Sequence, residues 1–200
     1  MNNTKHLIPI SFIICLLAGY LLPWIIAPTA PLTLNAYDLA EWTSLHPSQP
    51  HTTPALIVSL YLRVQLLLIG LLIAINVRKR WITVAGIMII AIAQFPPLEF
   101  ILSETSNINY QQQFYLSVGS VLIGIGFSSF SVTRWRSLWN LAIALVGIIT
   151  STLGVTQTSE LLVMSLQQHS IGWGFFVVAM SYASLGLLEA IHIRGLFTKP

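Results

Sequence analysis

Charge is what this sequence has least of. Lys, Arg, Asp and Glu together make up 8% of its 200 residues, whereas a soluble domain carries about a quarter. Too few ionic side chains remain to cover a water-facing surface, which excludes a soluble enzyme. The apolar bulk equally excludes a disordered chain. Cys15 is the sole cysteine, so no disulfide can form within the chain and a disulfide-stapled scaffold is excluded. The short signatures of catalysis are missing too: there is no His-Glu-x-x-His, no Gly-x-Ser-x-Gly and no phosphate-cradling glycine loop. Gly126-Phe-Ser-Ser-Phe is not a serine-nucleophile motif, and no aspartate pair lies within an apolar run. The expectation is a protein that is not an enzyme and carries neither cofactor nor metal.

What is there is apolar sequence, 55% of the chain with a mean hydropathy of +0.78. A spanning helix needs about 20 mostly apolar residues, and six runs qualify, roughly 7–27, 55–77, 81–102, 114–133, 138–156 and 171–191. They are continuously apolar, without the period-two alternation of a membrane barrel. The expected fold is therefore all-α, a polytopic six-helix transmembrane bundle forming a single domain over residues 1–200.

The basic residues orient it. Lys5 precedes the first run, Arg78, Lys79 and Arg80 separate the second from the third, and Arg134 and Arg136 the fourth from the fifth; Arg194 and Lys199 follow the last. With alternating spans all of these fall on one side, which the positive-inside rule makes cytoplasmic, so both termini lie inside, in a bilayer expected to be the plasma membrane. Among the acids, Asp38, Glu41, Glu104 and Glu160 fall in outside segments, with Glu189 near the inner face. Trp81, Trp135 and Trp139 flank inner ends, while Trp24, Tyr110, Tyr115 and Trp173 flank outer ends, as interfacial aromatic belts do. The first run is longer than a signal-peptide core and is read as a retained span. An isoelectric point near 9.2 arises from scattered loop cations rather than from a basic patch, so nucleic acid is not an expected partner.

Cytoplasmic connections are short, forcing neighbouring spans into antiparallel hairpins. The first outside loop, about 28–54, is the longest and is framed by Pro28, Pro31, Pro47, Pro50 and Pro54. Inside it, Asn35 to Leu45 reads as a short interfacial helix, with Asn35 as N-cap and Asp38 three residues on. Ser120, Gly124 and Ser128 in the fourth run, Gly147 and Ser151 in the fifth, and Ala179, Ala183, Gly186 and Ala190 in the sixth supply the small residues along which membrane helices approach.

Arg63 is the one cation inside a run. A charge at that depth requires a partner or water, and the candidate counterion is Glu99, about one turn from the outer end of the third run and just past the Pro96-Pro97 break, with snorkelling closing much of the difference in depth. The expectation is a structural Arg63–Glu99 ion pair joining two helices. The competing expectation is an outward-facing site for a polar or anionic solute, with Arg63, Glu99, Gln94, Tyr37 and Trp42 touching the ligand. The proline pair should leave carbonyls near Ala91 to Ala93 without donors. His46 and His51, with Asp38 and Glu41, and His169 with Glu160, read as solvated loop groups, since no metal-ligand spacing links them. Glu189 and His192 read as a surface pair, and His6 with His192 is rejected as a haem-ligand pair because axial ligands sit within spans.

Two functions follow. One is a non-enzymatic integral membrane subunit or accessory protein of a larger assembly, with the lipid bilayer and other membrane subunits as partners. The other is a small solute-recognition or transport protein. Its plan, six spans under a capping outer loop, is similar to that of the substrate-capturing components of energy-coupling-factor vitamin transporters, a likeness of plan without shared motifs.

Overall fold

The computed structural model describes residues 4–27, 32–45, 56–129, 135–163 and 168–197. Those residues form eight helices: α1 (Thr4–Leu21), α2 (Ala36–Leu45), α3 (Ile57–Asn76), α4 (Arg80–Ala93), α5 (Leu98–Leu102), α6 (Ile108–Ser129), α7 (Arg136–Val163) and α8 (Trp173–Phe197). Three of them, α3, α7 and α8, are long and apolar enough to cross a membrane. α1 and α4 contribute shorter apolar helices.

α3 is the central element. It packs against α1, α2, α4, α6 and α7, and it is buried on most sides, with Leu62, Ile69, Leu72, Ser59 and Gln65 all within its inaccessible surface. Small residues decide the other contacts. Gly147 of α7 lies against the ring of Tyr182 on α8, where an added Cβ would stand 2.5 Å from Cζ. Gly19 of α1 admits Val178 of α8, and Gly124 of α6 admits Ile87 of α4, each with less than 3 Å available to a Cβ. Such backbone approach is how helices pack in a medium where apolar burial alone gives no preference for a partner.

One element lies outside the all-helical expectation. β1 (Ile25–Ala27) is the middle strand of a small antiparallel sheet, flanked by β2 (Leu32–Leu34) and β3 (Ser170–Ile171). Around it Trp24 N–H donates to Leu34 O at 2.8 Å, Gly172 N–H to Trp24 O at 2.7 Å, and Gly174 N–H to Pro23 O at 2.8 Å. Trp24 is buried and its indole donates to Gly19 O at 2.9 Å. The sheet thus clamps the end of α1 to the start of α8. Gly172 and Gly174 are required there because a Cβ on either would run into the backbone of Leu22 or Pro23.

The third apolar run does not continue to residue 102. α4 ends at Ala93, and Pro96 and Pro97 carry the chain outward into the short, exposed α5. The break is better satisfied than its sequence implies. Phe95 N–H shifts back to Ile92 O at 3.1 Å, serving the carbonyl that Pro96 leaves without its donor, and Ser117 Oγ of α6 donates to Ala91 O at 2.7 Å, which Phe95 would otherwise serve. The fifth run is longer than expected: α7 has 28 residues, about 42 Å at 1.5 Å per residue. The short helix expected over Asn35 to Leu45 forms as α2, with Asn35 Oδ1 accepting from Asp38 N–H at 3.0 Å.

Candidate functional site

Arg63 lies six residues into α3, about 9 Å from the start of the helix, with Ser59 one turn above it on the same face. α2 folds back across α3 at this level, and its Glu41 reaches down: Arg63 Nη2 donates to Glu41 Oε1 at 2.8 Å. Arg63 Nη1 donates to Gln112 Oε1 at 2.8 Å, and Gln113 Nε2 donates to the same Glu41 oxygen at 2.8 Å. Gln112 is tied in turn, accepting from Ser59 Oγ at 3.2 Å and donating to Leu56 O at 3.1 Å. Arg63 is 4% exposed and Glu41 33%, so the pair sits at the rim of the bundle with its cation inside.

The partner of Arg63 is therefore Glu41, not Glu99. The break at Pro96-Pro97 turns the chain away before Glu99, which α5 presents to the exterior. Nor does the five-residue ligand set assemble. Gln94 is buried and donates to Ser120 Oγ at 3.2 Å, on the α4–α6 contact. Tyr37 stands exposed on α2, and Trp42 packs half-buried against the core. Burial and the neighbouring Glu41 carboxylate raise the Tyr37 phenol above its ordinary pKa, against the lowering effect of Arg63. The hydroxyl of Tyr20 on α1 is buried without a hydrogen-bond partner, within the electrostatic reach of Arg63 and Glu41.

A second polar cluster lies at the opposite end of the bundle. Asn76 ends α3, Asn140 begins the second turn of α7, and the two amides exchange hydrogen bonds at 3.0 and 3.2 Å. Asn140 Nδ2 also donates to Glu189 Oε1 of α8 at 2.7 Å, and Asn76 Nδ2 to Leu72 O at 2.9 Å. Glu189 is buried and faces Asn140, while His192 is exposed, so the expected surface pair does not form. Between the clusters, Gln65 Nε2 donates to Thr150 Oγ1 at 2.7 Å, tying α3 to α7.

The histidine expectations lie mostly elsewhere. His46 and His51 fall outside the described residues, as does the side chain of His6; Glu160 is exposed near the end of α7 and His169 is half-buried ahead of β3. Among the described residues no three His, Cys, Asp or Glu side chains converge. Among the described residues, openings include the following two. A cleft of about 390 Å³ beside the Arg63 cluster is lined by Ser44, Leu45, Leu56, and Ser106 through Tyr110. A groove of about 300 Å³ between α4 and α6 is lined by Met88, Ile92, Phe95, Val118 and Leu122 among others.

Reading the sequence alone missed Glu41, Gln112, Gln113, Asn76 and Asn140 as partners. The Gln111-Gln112-Gln113 run opening an otherwise apolar helix was the available signal. No family model, curated protein or solved structure matches the chain.

Proposed function

We propose that the chain is a six-span plasma-membrane protein, both termini cytoplasmic, that works as a non-enzymatic subunit of a larger membrane assembly. In this reading α1, α3, α4, α6, α7 and α8 are the spans, and α2 lies over the outer mouth. The basic residues flanking the α3–α4 and α6–α7 connections support the orientation.

The observation that carries the assembly reading is the outer face of α6. Tyr115, Gly119, Leu122 and Gly126 follow one another at helical spacing on that face. Tyr115 and Leu122 are well exposed. An added Cβ at Gly119 or Gly126 would meet nothing within 4 Å. Lipid tails gain nothing from a glycine, whereas a neighbouring helix gains close backbone approach. The two bare glycines, seven residues apart, form a seat for a helix that this chain does not supply. Arg63 supports the same reading, because its two hydrogen bonds hold α2, α3 and α6 together rather than facing an open path.

Extraction from native membranes in mild detergent, native gel separation and mass spectrometry of the band test the proposal. Stoichiometric partners are expected, and they should be lost in Gly119→Leu/Gly126→Leu while the protein stays monodisperse. Migration of the native protein alone, as a monomer or small homo-oligomer, would overturn it. Orientation is tested separately: with Cys15 replaced by Ser, cysteines placed at Lys79 and Ser106 should label from opposite sides of the membrane.

A further inference from the structure

The cleft beside α2 has a lining that points to one class of ligand. Its walls come from the end of α2 (Ser44, Leu45), from Leu56 just before α3, and from the first turn of α6 with the residues ahead of it (Ser106, Asn107, Ile108, Asn109, Tyr110). No lining side chain among the described residues is ionic. Five can hydrogen-bond as neutral groups, three are aliphatic, and Tyr110 offers a ring already braced edge-on by Phe100, with centroids 6.5 Å apart. The volume, about 390 Å³, lies within the range of small-ligand sites.

Asn109 is the group that calls for an occupant. It is 8% exposed, yet its Oδ1 has no hydrogen-bond partner. Buried carboxamide oxygens are ordinarily bonded, and an unmet one carries a desolvation penalty of about 1–3 kcal/mol. The backbone of the same residue is held, its N–H donating to Asn107 Oδ1 at 3.0 Å. The side-chain oxygen is the unsatisfied atom, and rotation about its soft χ2 can turn it toward the cleft that the residue lines. The wall opposite is held stiffly: Leu56 has φ of 60°, a left-handed conformation disfavoured for leucine, and its carbonyl accepts from Ser59 Oγ, Leu60 N–H and Gln112 Nε2.

We infer that this cleft binds a neutral polyhydroxylated group. A hydroxyl donates to Asn109 Oδ1 while accepting from Ser or Asn side chains, and the carbon faces of a sugar or glycerol unit lie against Tyr110, Leu45 and Ile108. Among the described lining residues an anion would find no cation, and a cation no carboxylate. The group has two sources, a free monosaccharide or polyol in solution and the headgroup of a glycolipid in the adjacent leaflet. The inference does not depend on the assembly reading.

The test uses the full chain in nanodiscs, prepared in lauryldimethylamine oxide so that no sugar-headed detergent fills the cleft. In the first arm, saturation-transfer NMR is recorded with D-glucose, D-galactose and glycerol, and with propionate and propylammonium as ionic controls. In the second, native mass spectrometry compares retention of monogalactosyl diacylglycerol with phosphatidylcholine. Signal in the first arm assigns a free solute, and selective retention in the second assigns a glycolipid. In either case Asn109→Leu should weaken binding about tenfold, the loss of one hydrogen bond to a neutral group. Ser106→Trp, at an exposed lining position, should abolish it by filling the space. Absence of both signals, ionic probes binding as well as the hydroxylated ones, or binding unchanged in both variants would overturn the inference.

Discussion

Removing Glu41 should release α2 from the bundle. In the native chain Glu41 Oε1 is the shared acceptor for Arg63 Nη2 and Gln113 Nε2, both at 2.8 Å. Glu41→Leu leaves a guanidinium that is 4% exposed with, among the described residues, Gln112 alone to accept from it. Breaking a buried pair from one side costs about 3–5 kcal/mol. Glu41 is itself one-third exposed, and water near the rim screens part of that, which lowers the expected loss to about 2–3 kcal/mol. Arg63→Leu should destabilise by a similar amount. The double variant should then be more stable than the sum of the singles by about 1–2 kcal/mol, since neither charge is left behind.

The assay is unfolding by sodium dodecyl sulfate in mixed micelles, followed through tryptophan fluorescence, with Trp42 on α2 reporting undocking directly. Glu99→Gln is the internal control and should shift stability by less than about 0.5 kcal/mol, as an exposed substitution does. Additivity of Glu41→Leu and Arg63→Leu to within about 0.5 kcal/mol would refute the pairing. A large effect of Glu99→Gln would restore the pairing that the spans alone suggest.

Four further outcomes are expected. Asn140→Leu strands both Asn76 and Glu189 and should cost about 2–4 kcal/mol in the same assay. Glu189→Gln, which keeps an oxygen for Asn140 Nδ2, should cost less than about 1 kcal/mol. Gly147→Val drives two methyl groups into the Tyr182 ring and should lower stability by at least about 1–3 kcal/mol; an unchanged midpoint would show that α7 and α8 do not pack as described. Tyr37 has its phenol pKa raised in the fold, so stability should be level below the unfolded phenol value of about 10 and fall as pH rises through the higher folded one. A pH series of unfolding midpoints should show that slope, and Tyr37→Phe should make it shallower.

Much of the architecture was legible because the bilayer leaves few choices. Continuous apolar runs without alternation admit only helices, and the runs at 55–77, 138–156 and 171–191 correspond to the three helices long and apolar enough to span. The Asn35 cap was legible for a local reason: its hydrogen bond reaches only three residues along the chain. The small sheet was not, because strands of two and three residues carry no period. They exist only because the end of α1 and the start of α8 meet, a tertiary fact. Pro96 and Pro97 showed where α4 would fail but not in which direction the chain would leave.

That missing direction is why Arg63 was matched to the wrong acid. Distance along a span gives depth, and Glu99 comes within snorkelling reach of Arg63 only if the third run continues straight. Glu41 has no depth of its own, because it belongs to a loop helix whose position is set by what it folds onto. The better rule was available in the polar residues inside the apolar runs. Asn76 at the end of α3, Asn140 near the start of α7 and Glu189 near the end of α8 lie at one level if the helices alternate, and they are hydrogen-bonded to each other. Gln112 and Gln113 near the start of α6 lie level with Arg63 near the start of α3, and they close its network. In a medium that offers no water, a polar side chain must find its partner at its own depth. Matching depths across neighbouring helices therefore recovers the Asn76–Asn140–Glu189 cluster and the Arg63–Gln112 contact, while Glu41, carried on a loop helix, is brought to Arg63 by the tertiary fold alone.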